Sequence, residues 1–263
     1  MFGNLTPVVK NLLLITVGAF VVASFLMPQL KSFLALYYIN SNRFMPTQFL
    51  SYMFMHADGW HLFSNMFGLF IFGPLLEQYL GPRKLLTLWL ICGVGSGLLY
   101  SGYTAYRMSK MDNTISEFYS DPSPESFSLF VKDYPAFFRS GVYDFIDAYS
   151  RNPDNDSLIQ RAKDNLITVR EMQANIPMVG ASGALFGVLI AFAMLFPNTQ
   201  LFLLFPPIPV KAKYLVFFYG LYTVYNVIYN NPTDNVAHFA HLSGLVLGAG
   251  LIWYWRKDRK NFY

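Results

Sequence analysis

MVGASGALFGVLIAFAMLF, residues 178–196, runs for nineteen positions without a Lys, Arg, Asp or Glu. That is close to the roughly 20 apolar residues an α-helix needs to cross a hydrocarbon core about 30 Å thick. Its one hydroxyl, Ser182, sits near the start, in Gly180-Ala181-Ser182-Gly183-Ala184. A lone serine in such a helix usually hydrogen-bonds back onto its own backbone. A serine between glycines, with a histidine at similar depth in another span, is instead a candidate nucleophile, and His241 is such a histidine.

Working outward, 54 % of the 263 residues are apolar, 18 % aromatic and only 13 % charged, against about 25 % charged in soluble domains. Uncharged stretches recur at 11–30, 59–76, 85–106, 172–210, 214–233 and 235–255. Pro197 and the prolines at 206, 207 and 209 break the fourth, so it reads as one span over about 178–196 followed by a re-entrant or interfacial loop. The expected fold is an all-α polytopic membrane protein, a six-transmembrane-helix bundle. A cleavable signal peptide is the competing reading of the first stretch, but its apolar run is long and no small-x-small site follows before Met27-Pro28.

Basic residues set the expected orientation. Arg83 and Lys84, Lys211 and Lys213, and Arg256, Lys257, Arg259 and Lys260 all fall on one side if both termini are cytoplasmic. The net charge of +4 is then topological and gives no reason to expect nucleic acid. Residues 107–176 differ from the rest, holding 8 of the 19 basic and 11 of the 15 acidic residues. This stretch is expected outside the membrane as a partly helical extracytoplasmic insertion. It opens on loop signals such as Asp121-Pro122-Ser123-Pro124. It continues with Leu158, Ala162, Leu166 and Val169 at helical spacing behind a possible Asp156 cap. The expected divisions are 1–106 (helices one to three with the first loop), 107–176 (the insertion) and 177–263 (helices four to six and a basic tail). The single Cys92 offers neither a disulfide nor a thiolate metal site.

Polar side chains at membrane depth are costly and mark function. The four histidines are His56 and His61 at the start of the second span and His238 and His241 at the start of the sixth. In the expected orientation spans two, four and six run the same way, so Ser182 shares an outer layer with them. His241, Gly244 and Gly248 lie on one helical face, as do Gly180, Gly183 and Gly187, and such small-residue strips let helices approach closely. An imidazole brought to a hydroxyl in this way is what base activation requires. His61 and Asn65 share a face four residues apart, and both donate hydrogen bonds of the kind that stabilise an oxyanion; the Ser182 N–H is a third. Taken singly, each residue is equally explained by helix packing or interhelical hydrogen bonding.

Taken together the residues resemble the rhomboid family of intramembrane serine proteases. Gly180-Ala181-Ser182-Gly183 is similar to its G-x-S-G, His61 to Asn65 to its H-x-x-x-N, and His241 with Gly244 and Gly248 to its last-helix motif. The resemblance covers about residues 8–100 and 177–255. It implies Ser182 as nucleophile and His241 as general base in a Ser-His dyad without a third acid, with Asp234 lying just before the sixth span. It implies His61, Asn65 and Ser182 as oxyanion-hole donors, Gly180, Gly183, Gly244 and Gly248 as structural support, and Glu77 as a brace for the first loop. His238, one turn before His241, is a rival base without the glycines at +3 and +7, and His56 resembles a structural loop histidine. Thr47-Gln48 stands where many members carry Trp-Arg, and Phe186 where some place a Tyr that stacks on the histidine.

The expected partners are membrane proteins with a transmembrane helix and the lipid bilayer, without nucleic acid. No cofactor or metal is expected, since the four histidines have no carboxylate among them within the spans and H-E-x-x-H is absent. Rhomboid-like proteins that act as non-proteolytic membrane chaperones or binding proteins are the alternative. The expected location is a bacterial inner membrane with both termini cytoplasmic, from the chain's compactness and lack of a transit peptide.

Overall fold

In the computed structural model, which describes residues 5–202, 208–229 and 236–257, the chain is mostly helical. Pro206, Pro207, Asp234, Arg259 and Lys260 lie outside the described residues. Helix α1 spans Pro7–Val21 and widens into a π-helical turn at Val22–Leu26 before Pro28 ends it. Its start is fixed from a distance. Pro7 at the first position needs no hydrogen bond, and the buried Glu77 carboxylate accepts from the next two amides, Val8 and Val9, at 3.0 Å each. Glu77 therefore anchors the first helix rather than the first loop.

The first loop holds the short helices α2 (Gln29–Leu34) and α3 (Gln48–Ser51). Its brace is Gln48, fully buried: Nε2 donates to the carbonyls of Phe33 and Arg43 at 3.1 and 2.9 Å, and Oε1 accepts from Tyr37 N at 3.4 Å. One neutral carboxamide satisfies three backbone groups where many relatives of the resembled family place an arginine.

Helix α4, Gly59–Leu80, begins where Asp58 caps the His61 amide at 2.8 Å and ends at Gly81, whose φ of +82° few other residues adopt. Pro82 then opens α5, Pro82–Ser120, whose 39 residues extend about 58 Å, twice the hydrocarbon thickness. The helix does not stop at residue 106. Its inner half buries Leu88, Trp89 and Cys92 in the bundle, and its outer half buries Met108, Met111, Ile115 and Phe118 at helical spacing.

Against that outer half pack α6 (Pro124–Asp133) and α8 (Asp156–Ala174), with α7 (Gly141–Arg151) on α6, enclosing a second core of Phe118, Phe127, Phe130, Phe145, Tyr149 and Leu166. The loop signals at 121–124 resolve into a capping box, Ser123 with Ser126, with Pro124 at the first position. In α8 the cap is Asn155, whose Oδ1 accepts from Ser157 and Leu158 at 3.0 and 3.2 Å; Asp156 is the first helical residue. Ala162, Leu166 and Val169 are buried, with Leu158 packed beside them, as the spacing predicts. A bidentate pair, Arg170 Nε and Nη2 to the Asp112 carboxylate at 2.5 and 3.1 Å, ties α8 to α5.

Helix α9, Ser182–Leu195, is the hub: α4, α5, α10 (Ala212–Tyr229) and α11 (His238–Lys257) all pack against it. Between α9 and α10, β1 (Gln200–Phe202) pairs antiparallel with β2 (Pro209–Lys211). Three helical stretches, Pro7–Leu26, Gly59–Leu80 and Pro82–Ser120, are long and apolar enough to cross a membrane, and α9 is a shorter apolar helix. The outer faces of α1 and α10 expose Leu14, Ile15, Phe217, Phe218 and Ile228, a surface suited to lipid.

Candidate active site

Residues 178–181, expected as the first turn of a span, lie outside the helix, so Gly180 does not share the α9 face that carries Gly183 and Gly187. Leu36 and Met178 exchange backbone hydrogen bonds at 2.9 and 2.8 Å, and Gly180 N donates to Tyr52 O at 3.0 Å. The first loop thus fixes the segment that delivers Ser182. A run of apolar residues reads alike as strand or helix, which is why this boundary was not visible. Gly180 turns the chain with φ +120°, a conformation L side chains rarely adopt, and Ser182 becomes the first residue of α9. Its amide is accordingly among those left without an acceptor inside the helix.

The His241 Nε2 atom lies 2.8 Å from Ser182 Oγ. What allows this is the glycine strip predicted on α11. A Cβ on Gly244 would overlap the carbonyl oxygen of Gly183, and one on Gly248 would come within 2.8 Å of the Gly187 Cα and carbonyl oxygen. Gly183 likewise has no room for a side chain, because Ser96 of α5 lies behind it at 2.6 Å. The His241 ring stacks on Phe186, centroids 4.3 Å apart and planes at 11°, so the stacking survives without a tyrosine hydroxyl. His238 meets His241 edge-on at 6.0 Å and Tyr222 at 5.7 Å; it is His241 whose ring nitrogen reaches the serine.

His61 packs on the other side of the same turn. A methyl group on Gly180 would sit 2.8 Å from His61 Nε2 and 3.9 Å from Ser182 Oγ, so those atoms flank one small space. Ala57 N approaches His61 Nδ1 at 3.4 Å, and a ring that accepts at Nδ1 carries its hydrogen on Nε2, toward the serine. Asn65, 3 % exposed, donates one amide hydrogen to its own helix at His61 O, 2.9 Å, and has a second to offer. All four side chains line one cavity of about 1530 Å³, which is walled by Gly68 and Phe72 of α4 and Val216 and Tyr219 of α10 and reaches up to Arg107 and the end of α6.

His56, 1 % exposed, meets the His61 ring edge-on at 5.0 Å. Burial first, then the neighbouring imidazole, push its pKa from 6.5 to about 4. The unfolded chain takes up this proton near pH 6.5 and the folded protein only near 4, so the stability it contributes is present above 6.5 and lost as pH falls through that window. The loss is about 3 kcal/mol in total. Unfolding midpoints in detergent should fall between pH 7 and 4.5, and the fall should shrink in His56→Leu; parallel curves for the two proteins would refute the assignment.

A model of the rhomboid domain matches residues 43–115 and 157–258, leaving out 116–156, where α6 and α7 lie. An uncharacterized mitochondrial rhomboid protein of Schizosaccharomyces pombe is 29 % identical over 200 residues, covering 74 % of this chain and 47 % of its own length. The mitochondrial RHOMBOID-like protein 12 of Arabidopsis thaliana is 26 % identical over 208 residues, covering 79 % and 45 %. The rhomboid protease AarA of Providencia stuartii is 35 % identical over 60 residues, 23 % of this chain and 21 % of its own. The chain thus spans about half the length, or less, of the curated relatives it matches. With two of these relatives named mitochondrial, the expectation of a bacterial inner membrane narrows to an integral membrane protein.

Proposed function

The chain belongs to the rhomboid family, and from that premise we propose that it is an intramembrane serine endopeptidase that cleaves transmembrane-segment substrates near the outer membrane face. The observation that carries this reading is the 2.8 Å approach of His241 Nε2 to Ser182 Oγ at a cavity large enough for a peptide. We read the bundle as six membrane-crossing helices, α1, α4, the inner half of α5, α9, α10 and α11. Residues 107–176 are then an extramembrane insertion and both termini are cytoplasmic.

Ser182 Oγ attacks the scissile carbonyl carbon while His241 Nε2 takes its proton, which requires the neutral ring to hold its own hydrogen on Nδ1. The negative charge that develops on the carbonyl oxygen is met by the Ser182 N–H, His61 Nε2–H and Asn65 Nδ2–H. When the C–N bond breaks, His241 returns the proton to the leaving amine. Water, deprotonated by the same histidine, then releases the acyl group from Ser182. A helical substrate offers carbonyls that are shielded and already bonded, so it must unwind locally to reach the serine. Access is from the side, between α4 and α10: both wall the cavity, and α10 leans on α11 and α9.

A serine-directed phosphonate tests this directly. The detergent-solubilised protein should be labelled on the peptide containing Ser182, with His241→Ala abolishing the label; a label elsewhere would overturn the assignment.

A further inference from the structure

The cavity that holds the dyad has a basic outer end. Arg107 of α5 is half-buried there, its guanidinium carbon 6.0 Å from the Tyr103 ring centroid, and Lys132 at the end of α6 lines the same wall. Among the described residues the one ion pair is Arg170 with Asp112, so neither cation has a carboxylate partner; Asp133 is the one acid beside them. The two charged residues on the opposite wall are engaged elsewhere, Lys31 with the Ala57 carbonyl and Asp58 with the His61 amide. Burial holds the Tyr134 phenol above its usual range; the Arg107 charge works against that, and the Asp133 and Asp112 carboxylates add to it. A half-buried guanidinium over an aromatic ring, with no carboxylate at salt-bridge distance, keeps its fork of N–H donors for an incoming anion.

We propose that Arg107, supported by Lys132, binds an Asp or Glu side chain in the extramembrane segment of the substrate and so selects for an acidic residue outside the cleaved bond. The proposal rests on the proteolytic reading above and adds a substrate class to it. Its register follows from α5. Ser96 touches Gly183, the neighbour of the nucleophile, and Arg107 lies eleven residues further along the same helix, about 16 Å. An extended peptide covers that distance in about five residues. The carboxylate is therefore expected four to six residues from the scissile bond, where a bidentate Arg pair fixes position as well as charge.

The test is a series of single-span substrates, each with one Glu at successive positions from three to eight residues outside the cleaved bond, and each with a Gln counterpart. They are assayed in phosphatidylcholine vesicles. One register should be cleaved with kcat/KM about ten-fold above its Gln counterpart; that ratio should fall to about one in Arg107→Gln and favour a Lys substrate in Arg107→Glu. A ratio of one throughout in the wild type, or a ratio that persists in Arg107→Gln, overturns the proposal. So does an Arg107-dependent rise in cleavage on adding phosphatidylglycerol that is equal for Glu and Gln substrates, because the anion is then a lipid phosphate. Binding of the same peptides to Ser182→Ala protein separates the two readings. Equal Kd for Glu and Gln peptides overturns the acidic site, whereas ten-fold tighter Glu binding with no cleavage by wild type overturns the proteolytic reading alone.

Discussion

Ser182→Ala and His241→Ala should each lower cleavage of a reconstituted single-span substrate by on the order of 10⁴- to 10⁶-fold, and the double variant should be no worse than either single one. The two side chains act as a unit across one 2.8 Å contact: without Oγ there is no nucleophile, and without Nε2 the hydroxyl keeps its proton. Neither change should unfold the protein. Ser182 is the first residue of α9 and gives the helix no side-chain cap, and Ala in its place leaves the backbone of the helix intact. Initial rates, with unfolding midpoints measured alongside, check this. Cleavage by either single variant within ten-fold of wild type would remove the dyad, and multiplicative losses in the double variant would mean that the residues work separately.

Gly244→Ala should be nearly as damaging without touching a reacting atom. The added methyl would overlap the Gly183 carbonyl oxygen and lie 3.0 Å from its carbon and 3.2 Å from Phe186 Cβ. Two of those three atoms are backbone, so relief comes from moving α11 away from α9. Gly244 is one turn beyond His241 and Gly183 is next to Ser182, so the separation opens where the proton must cross. A misplacement of about 1 Å costs on the order of 100-fold in kcat, and overpacking a helix contact costs about 1–3 kcal/mol of stability. Gly250→Ala, on the same helix with nothing within 4 Å of the added atom, is the control and should be neutral or slightly stabilising. If the two variants behave alike, close approach of the helices is not what sets the Ser182 geometry.

The parts of this site legible in the sequence were those written in spacing. Glycines every three or four residues marked the faces of α9 and α11 that meet, and Leu158, Ala162, Leu166 and Val169 marked the buried face of α8. What spacing does not encode was harder to see. The non-helical segment at 178–181 is as apolar as the helix after it, and it is held by backbone bonds between Met178 and Leu36, 142 positions earlier. Glu77 and Gln48 declare their types but not their distant backbone partners, Val8 and Val9 for one, Phe33 and Arg43 for the other. The continuation of α5 was present in the sequence as Met108, Met111, Ile115 and Phe118, but the rise in charge after residue 106 concealed it, because leaving the membrane and ending a helix are different events.

That unbroken α5 makes floor and roof of the site one mechanical part. Cys92 and Ser96 of its inner half back onto Gly187 and Gly183, beside the nucleophile, while its outer half carries Arg107 and the core of the cap. A roof hinged on a loop would swing without disturbing the chemistry beneath it. Here the ceiling is a cantilever on a wall stud: α6 and α8 rest on one half of the same helix whose other half backs onto the helix that holds the serine.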